Sequence, residues 1–474
     1  MRVFRVAYLA VVASLLSGPA IAESPLLSKR ISAGALPPVT ERLPETPMVT
    51  DLAAMGREMG QPGGDISLLM ARSKDTRMLT VYGYARLVGF TPELTLQPDL
   101  ALKIDNEGDQ TFTLHLRPGH RWSDGQPFTT EDFRYFWEDI ALNEFLSPFG
   151  PPEALLVNNK PPRVEVIDRH TIRYHWPAPN PLFLPSLAGA RPLYIYAPGH
   201  YLKQFHAAYV EEEALKAMVE EAGVRNWAGL HTRYGHQYKF DNPDLPTLQP
   251  WLCVTPAPSE RFIFERNPYF HRVDTKGQQL PYLDRVIVNI ASSGLIPAKT
   301  GAGESDLQGR YLRLDNYPFL MEGGERNNFV VRLWQMGVGS QMAIYPNLNA
   351  NDDTWRELMR DVRFRRALSL GIDRDEINQV IYFGLVHPSA NTVLPQSPLF
   401  RQEYADAWVR FDLKAANALL DEIGLGERND ENLRLLPDGR PMEIVVHSAG
   451  ESTEQTDLLE LIHDTWLKLG IKIH

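Results

Sequence analysis

Apolar and polar positions alternate over residues 111–117, the pattern of a strand with one buried face, until Pro118-Gly119 stops it and Ser123-Asp124-Gly125 supplies a tight turn. A helix is predicted next. Thr129 can cap it with Asp132 three positions on, and Phe133, Phe136, Trp137 and Ile140 recur at the spacing of one helix face. Such an aromatic stripe reads as core before it reads as a ligand site. Gly63-Gly64 opens a strand over 65–71, residues 164–176 give a hairpin around Asp168-Arg169-His170, and alternation marks strands at 261–265 and 285–290. Helical periodicity covers 201–221, and a further strand is predicted at 329–334. Asp361 caps one helix, Asp373 with Glu376 forms a capping box on the next, which ends at Gly384, and Asp412 starts another that reaches Ile423. A strand at 442–447 precedes a last helix with Leu458, Ile462, Trp466 and Leu469 on one face, ended by Gly470 before a new strand begins. Residues 23–62, proline-rich and of mixed charge at their start, are expected to form an extended arm.

Composition adds a compartment. Arg2 and Arg5 precede an apolar run, Gly18-Pro19 and the triplet Ala20-Ile21-Ala22, the pattern of a secretory signal over residues 1–22 with cleavage before Glu23. The run is too short to span a bilayer, so no direct membrane insertion is expected. The absence of a cysteine at the cleavage site points away from a lipoprotein and towards a Gram-negative periplasm. Formal charge over the 474 residues is −11, and losing a leader with two arginines and no acids makes it more negative, so nucleic acid is not an expected partner. Cys253 is the sole cysteine, excludes an internal disulfide, and reads as a small buried side chain. The length suits at least two cores.

Catalytic and cofactor patterns are not found: no G-x-S-x-G, no H-E-x-x-H, no phosphate-cradling loop. His200 with His206, and His231 with His236, lack the partners of a recognisable zinc site, and no cofactor is expected. Paired carboxylates abound on an acidic chain, which keeps a secreted carbohydrate-active enzyme as the competing class.

Three ordered segments carry a resemblance. "LRPGHRWSDGQPFTTEDF" at 116–133 is similar to the signature of solute-binding protein family 5, "FERNPYFHRVDTKGQQLPYLDRV" at 264–286 to its Asn-Pro segment, and "DVRFRRALSLGIDRDEINQVIYFG" at 361–384 to its Arg-Ala-Leu segment. "SSGLIPAKTGAGESDLQGR" at 292–310 resembles the family's A-G-E-I-D stretch, with Ser305 where an apolar residue is usual. The resemblance covers most of residues 63–474. It implies an α/β, two-lobed periplasmic-binding-protein fold of type II, with lobe I over 63–290, an extra subdomain at about 93–180 within it, and lobe II over 291–474. It also implies a non-enzymatic, monomeric periplasmic receptor that captures an oligopeptide and delivers it to an inner-membrane ABC permease with its ATPase subunits. Some family members take an oligosaccharide instead, and the nine tryptophans suit stacking on sugar rings. Ligand contacts implied by the resemblance are Arg72, Tyr82 and Tyr84 after the first strand, and Trp334, Gln335 and Tyr345 in the second lobe. Family chains continue past the point matching His474, so lobe II is expected to be incomplete, with the acid that anchors a peptide's amino group lying further on.

Overall fold

Ser24 caps a helix at Pro25–Ser32, its side chain accepting from the Leu27 amide, and Leu27 is wholly buried. The expected extended arm is therefore corrected: Ser24 followed by proline at the first helical position is a helix start, and a second short helix, Val39–Arg42, follows. Arg42 pins this segment down, donating to the carbonyls of Pro37 (3.0 Å) and Pro268 (2.6 Å), to the Gln279 amide oxygen (3.1 Å) and to Glu23. The computed structural model describes residues 23–448 and 453–474, so the expected leader lies outside the described residues.

The chain forms two compact units, one running to Tyr311 and one from Leu312 to His474. The first holds two four-stranded sheets. In one the order is Asp65–Met70, Arg285–Ile290, Arg261–Arg266, Trp251–Cys253, with a parallel first pair and antiparallel neighbours after it. Val286 and Val288 face Phe264 and Phe262 across the ladder, and with Leu68 and Met70 they bury one face while Glu265 and Asn289 stay off it. Period-2 patterning fixes that register. The other sheet is antiparallel throughout, ordered Ala101–Glu107, Thr111–Leu116, Thr171–His175, Arg163–Asp168, and contains the predicted hairpin.

The signature helix packs on this second sheet. Thr129 caps Thr130–Arg134, and its own amide donates to Asp132 at 2.8 Å, completing the predicted capping box. The turns then widen into a π-helix over Tyr135–Ala141, which buries Tyr135, Phe136 and Trp137 together. With Phe112, Trp122, Phe128, Phe133, Trp176 and Phe183 they make an aromatic core.

Two further predictions are corrected. The helix expected at 201–221 is broken into Gly199–Leu202, a 3-10 turn and Glu212–Glu221. His206 interrupts it by turning extended, so that its ring packs 4.8 Å from Trp227 and bonds the Asp139 carbonyl at 3.1 Å. Residues 329–334 form no strand: their alternation supplies two faces, but no neighbouring strand hydrogen-bonds them among the described residues.

The second unit is mainly helical. Val362–Leu370, Arg374–Tyr382, Leu413–Glu422 and Thr453–Leu469 share a core, with Asp361, Asp373 and Asp412 as the predicted caps. Leu458, Ile462, Trp466 and Leu469 are buried as the periodicity required, and the Trp466 indole donates to the Leu368 carbonyl at 3.1 Å. The strand expected at 442–447 shortens to Glu443–Ile444, paired in parallel with Lys472–Ile473, with single backbone bonds from the Lys472 amide to the Met442 carbonyl and from the Val446 amide to the His474 carbonyl flanking it. No described helix is long and apolar enough to cross a membrane.

Candidate functional site

The aromatic residues of the signature, with Asp132, face inward. Trp122 is wholly buried, its indole N–H donating to Asp132 at 3.2 Å. Ser123 exchanges bonds with Thr247, its amide donating to the Thr247 carbonyl at 3.1 Å and its hydroxyl accepting from the Thr247 amide at 3.0 Å. Gly125 has φ of +88°, and a Cβ there would lie 2.8 Å from the Tyr269 hydroxyl, so glycine is needed twice over. Burial raises the Asp132 carboxyl to about 7. The Asn-Pro segment is equally internal: Asn267 bonds the Gln249 carbonyl at 2.9 Å and receives the Tyr269 amide at 2.9 Å. His271 and Arg272 meet buried Asp99, at 2.7 Å from the ring and 2.6 and 3.0 Å from the guanidinium. Burial pushes the Asp99 carboxyl up, but Arg272 and His271 outweigh it and hold it well below the usual range. These motifs are the joints of the first unit.

The three candidates from the first unit have different surroundings. Arg72 is exposed, and its amide donates to Asp75 at 3.2 Å at the start of the Ser73–Arg77 turn. Tyr82 is 49% exposed, and partial burial raises its hydroxyl pKa, with Arg310 opposing and Asp75 adding to the shift. Tyr84 ends the Met78–Gly83 helix in a left-handed conformation, its hydroxyl donating to the Ala188 carbonyl at 2.8 Å and accepting the Phe90 amide at 3.0 Å. Its polar group is thus engaged internally. Beside Arg72 and Tyr82 stands a group that sequence reading did not single out: buried Asp75, bonded by Arg310 at 3.0 Å and by the Tyr311 hydroxyl at 2.5 Å. The separation of Asp75 from these partners along the chain hides the cluster, although residues 292–310 were marked by resemblance.

In the second unit Trp334, Gln335 and Tyr345 lie on one exposed loop, Trp334 at 80% and Tyr345 at 78% exposure. The Asn391 amide donates to the Tyr345 hydroxyl at 3.0 Å, and Gln396 reaches Gln335 at 3.5 Å. Gly339 lets this loop lie against the 391–396 stretch, because a Cβ there would fall 1.7 Å from the Thr392 carbonyl oxygen. Two flat aromatic faces and three amide side chains are thereby offered to solvent, a set suited to stacking and orienting a polar solute. Among the described residues no three His, Cys, Asp or Glu side chains converge as metal ligands. His231 instead bonds the Tyr135 hydroxyl at 2.8 Å, and burial, then His206, lowers it to about 4. Cys253 is buried as read from the sequence, its thiol pushed up to about 11 by burial.

The model of the bacterial extracellular solute-binding proteins, family 5, matches residues 95–474. The chain belongs to this family. Its members are substrate receptors, and the two-lobed α/β fold expected from the motifs is the family's. A solved oligopeptide-binding protein OppA is 33% identical with a TM-score of 0.71, over 97% of this chain and 72% of that one. The periplasmic binding protein MelB from Agrobacterium fabrum C58, solved in complex with stachyose, is 24% identical with a TM-score of 0.68, over 95% of this chain and 70% of its own. The periplasmic alpha-galactoside-binding protein of Rhizobium meliloti is 24% identical over 94% of this chain. The chain spans 66% of that relative's length, and 45% of the length of the periplasmic oligopeptide-binding protein OppA of Salmonella typhimurium, which is 25% identical to it.

The lobe boundary expected after Ile290 can be compared with the compact units. Residues 292–311 stay with the first unit, because Asp306, Gln308, Arg310 and Tyr311 all bond back to residues 67–75.

Proposed function

We propose that this chain is a non-enzymatic periplasmic receptor that captures an oligopeptide and presents it to an inner-membrane ABC permease with its ATPase subunits. The observation that carries the reading is the 33% identity to an oligopeptide-binding protein over nearly the whole chain. Export would use the leader over residues 1–22, with Glu23 as the mature N-terminus, and the receptor would act as a monomer. On this reading the second unit's ligand contacts are the aromatic faces of Trp334 and Tyr345 with the Gln335 amide, and the first unit's own candidates are Arg72 and Tyr82. Main-chain hydrogen bonds to an extended peptide would permit tolerance of its side chains.

A second solute class has its own support. The alpha-galactoside-binding relative aligns over 94% of the chain, and the exposed indole of Trp334 suits a sugar face. Thermal unfolding of the full chain against a panel of tri- to pentapeptides and of raffinose and stachyose decides between them, because a ligand that binds only the folded state raises Tm. A rise with peptides alone supports the leading reading; a rise with the oligosaccharides alone replaces it with the second. Release of a cleaved product from any panel member would overturn the receptor assignment.

A further inference from the structure

Among the described residues, the edge of the Asp65–Met70 strand away from Arg285–Ile290 is bonded by Asp306 and Gln308 rather than by another strand. The Ser67 amide donates to the Asp306 carboxylate at 2.6 Å, and the Asp306 amide returns a bond to the Ser67 carbonyl at 3.0 Å. Two residues along, the Gln308 side-chain amide accepts from the Leu69 amide at 3.0 Å and donates to the Leu69 carbonyl at 2.9 Å, as a neighbouring backbone would. The same nitrogen lies 2.7 Å from the Arg310 carbonyl, so the segment is tied to itself as well as to the strand.

Immediately beyond, the chain turns. Tyr311 is the last residue of the first unit and has φ of +65°, the left-handed region that L side chains avoid. Such a conformation persists where its surroundings over-determine it. Here the Tyr311 hydroxyl donates to one oxygen of Asp75 at 2.5 Å, while Arg310 donates to the other at 3.0 Å and stacks its guanidinium 5.0 Å from the Tyr311 ring centroid. Asp75 is wholly buried, and its third bond comes from the Arg72 amide at 3.2 Å.

We propose that Asp75 is a positioning residue that latches the left-handed turn at Tyr311, the last residue of the first unit. One carboxylate thereby joins two segments distant in sequence, the 72–83 stretch and the exit at 310–311. A buried carboxylate receiving a guanidinium and a hydroxyl is strongly held, since charge-assisted bonds shorten and strengthen away from water. Because the turn disfavours its own backbone conformation, it should relax when the latch is cut, whereas the sheet beside it keeps its own ladder.

Hydrogen exchange followed by mass spectrometry on the full chain tests it with Tyr311→Phe, which removes only the hydroxyl, and Asp75→Asn, which keeps the side-chain shape. Amides of 306–316 are expected to exchange at least tenfold faster in each variant, with those of the Arg261–Arg266 strand unchanged. The double variant should exchange no faster than the quicker single one, because both cut the same latch. Unchanged exchange at 306–316 in Tyr311→Phe would overturn the proposal, as would uniform acceleration across the first unit, which marks a merely structural core contact. If Asp75→Asn does not fold, Tyr311→Phe decides alone.

Discussion

Replacing Trp334 by alanine separates a ligand surface from a packing surface. At 80% exposure the side chain gives the fold only about a fifth of its area. Taking roughly 200 Å² for a tryptophan, that fifth is about 40 Å² and is worth about 1 kcal/mol to stability at roughly 25 cal/mol per Å². The remaining ~160 Å² would contribute up to ~4 kcal/mol if a solute covered it completely. Partial cover and the ordering of the loop reduce the expected loss to about 1–3 kcal/mol, or roughly 5- to 150-fold in Kd. Titration calorimetry with whichever panel member stabilises the wild type measures the loss, and thermal unfolding without ligand measures the cost to the fold. An unchanged Kd accompanied by a collapse in Tm would show that Trp334 serves packing, and would refute both the area argument and the binding assignment.

Tyr84→Phe should behave in the opposite way, since its hydroxyl holds the Ala188 carbonyl and the Phe90 amide. A loss of about 1–2 kcal/mol in the stability of the first unit with unaltered solute affinity is expected, measured by denaturant unfolding and titration. Asp99→Asn leaves Arg272 and His271 without their buried carboxylate and should cost about 3–5 kcal/mol at neutral pH. The folded-state carboxyl is held low, so its stabilisation is present above about pH 4 and is lost as the pH falls through and below that value. Between about pH 5 and pH 3 the Tm of the wild type should therefore drop more steeply than that of Asp99→Asn; parallel slopes would refute the linkage.

Elements whose stability is local were readable along the chain. The Thr129–Asp132 capping box, the Asp361, Asp373 and Asp412 caps and the Leu458–Ile462–Trp466–Leu469 face depend on residues within a few positions, and each stands where its pattern placed it. Ser24-Pro25 is an equally local signal, masked by the prolines that follow. Distant partners decided the rest. His206 breaks a periodic helix for contacts with Asp139 and Trp227, and residues 329–334 alternate without a strand to pair with. The widening over Tyr135–Ala141 is set by how three aromatic rings fit the second sheet, which no periodicity encodes.

The family and the solute are written in different kinds of residue. Trp122, Asp132 and Asn267 announced the family, and all three are buried with partners inside the first unit. Their identities are dictated by the fold, so they are legible as a motif while saying nothing about what is bound. Tyr82 and Tyr84 show the contrast over two positions: the same side chain in the last turn of a short helix, half open, and at its left-handed C-cap, with its hydroxyl spent on backbone. Only the surrounding chain, including Ala188 and Phe90, distinguishes them. Trp334 and Tyr345 go further, since most of their surface has no internal partner and the fold places little constraint on them. A change of solute preference at little cost in stability should accordingly be sought within residues 334–345, whereas substitution of the buried signature residues Trp122, Phe128, Asp132 and Phe133 acts first on folding.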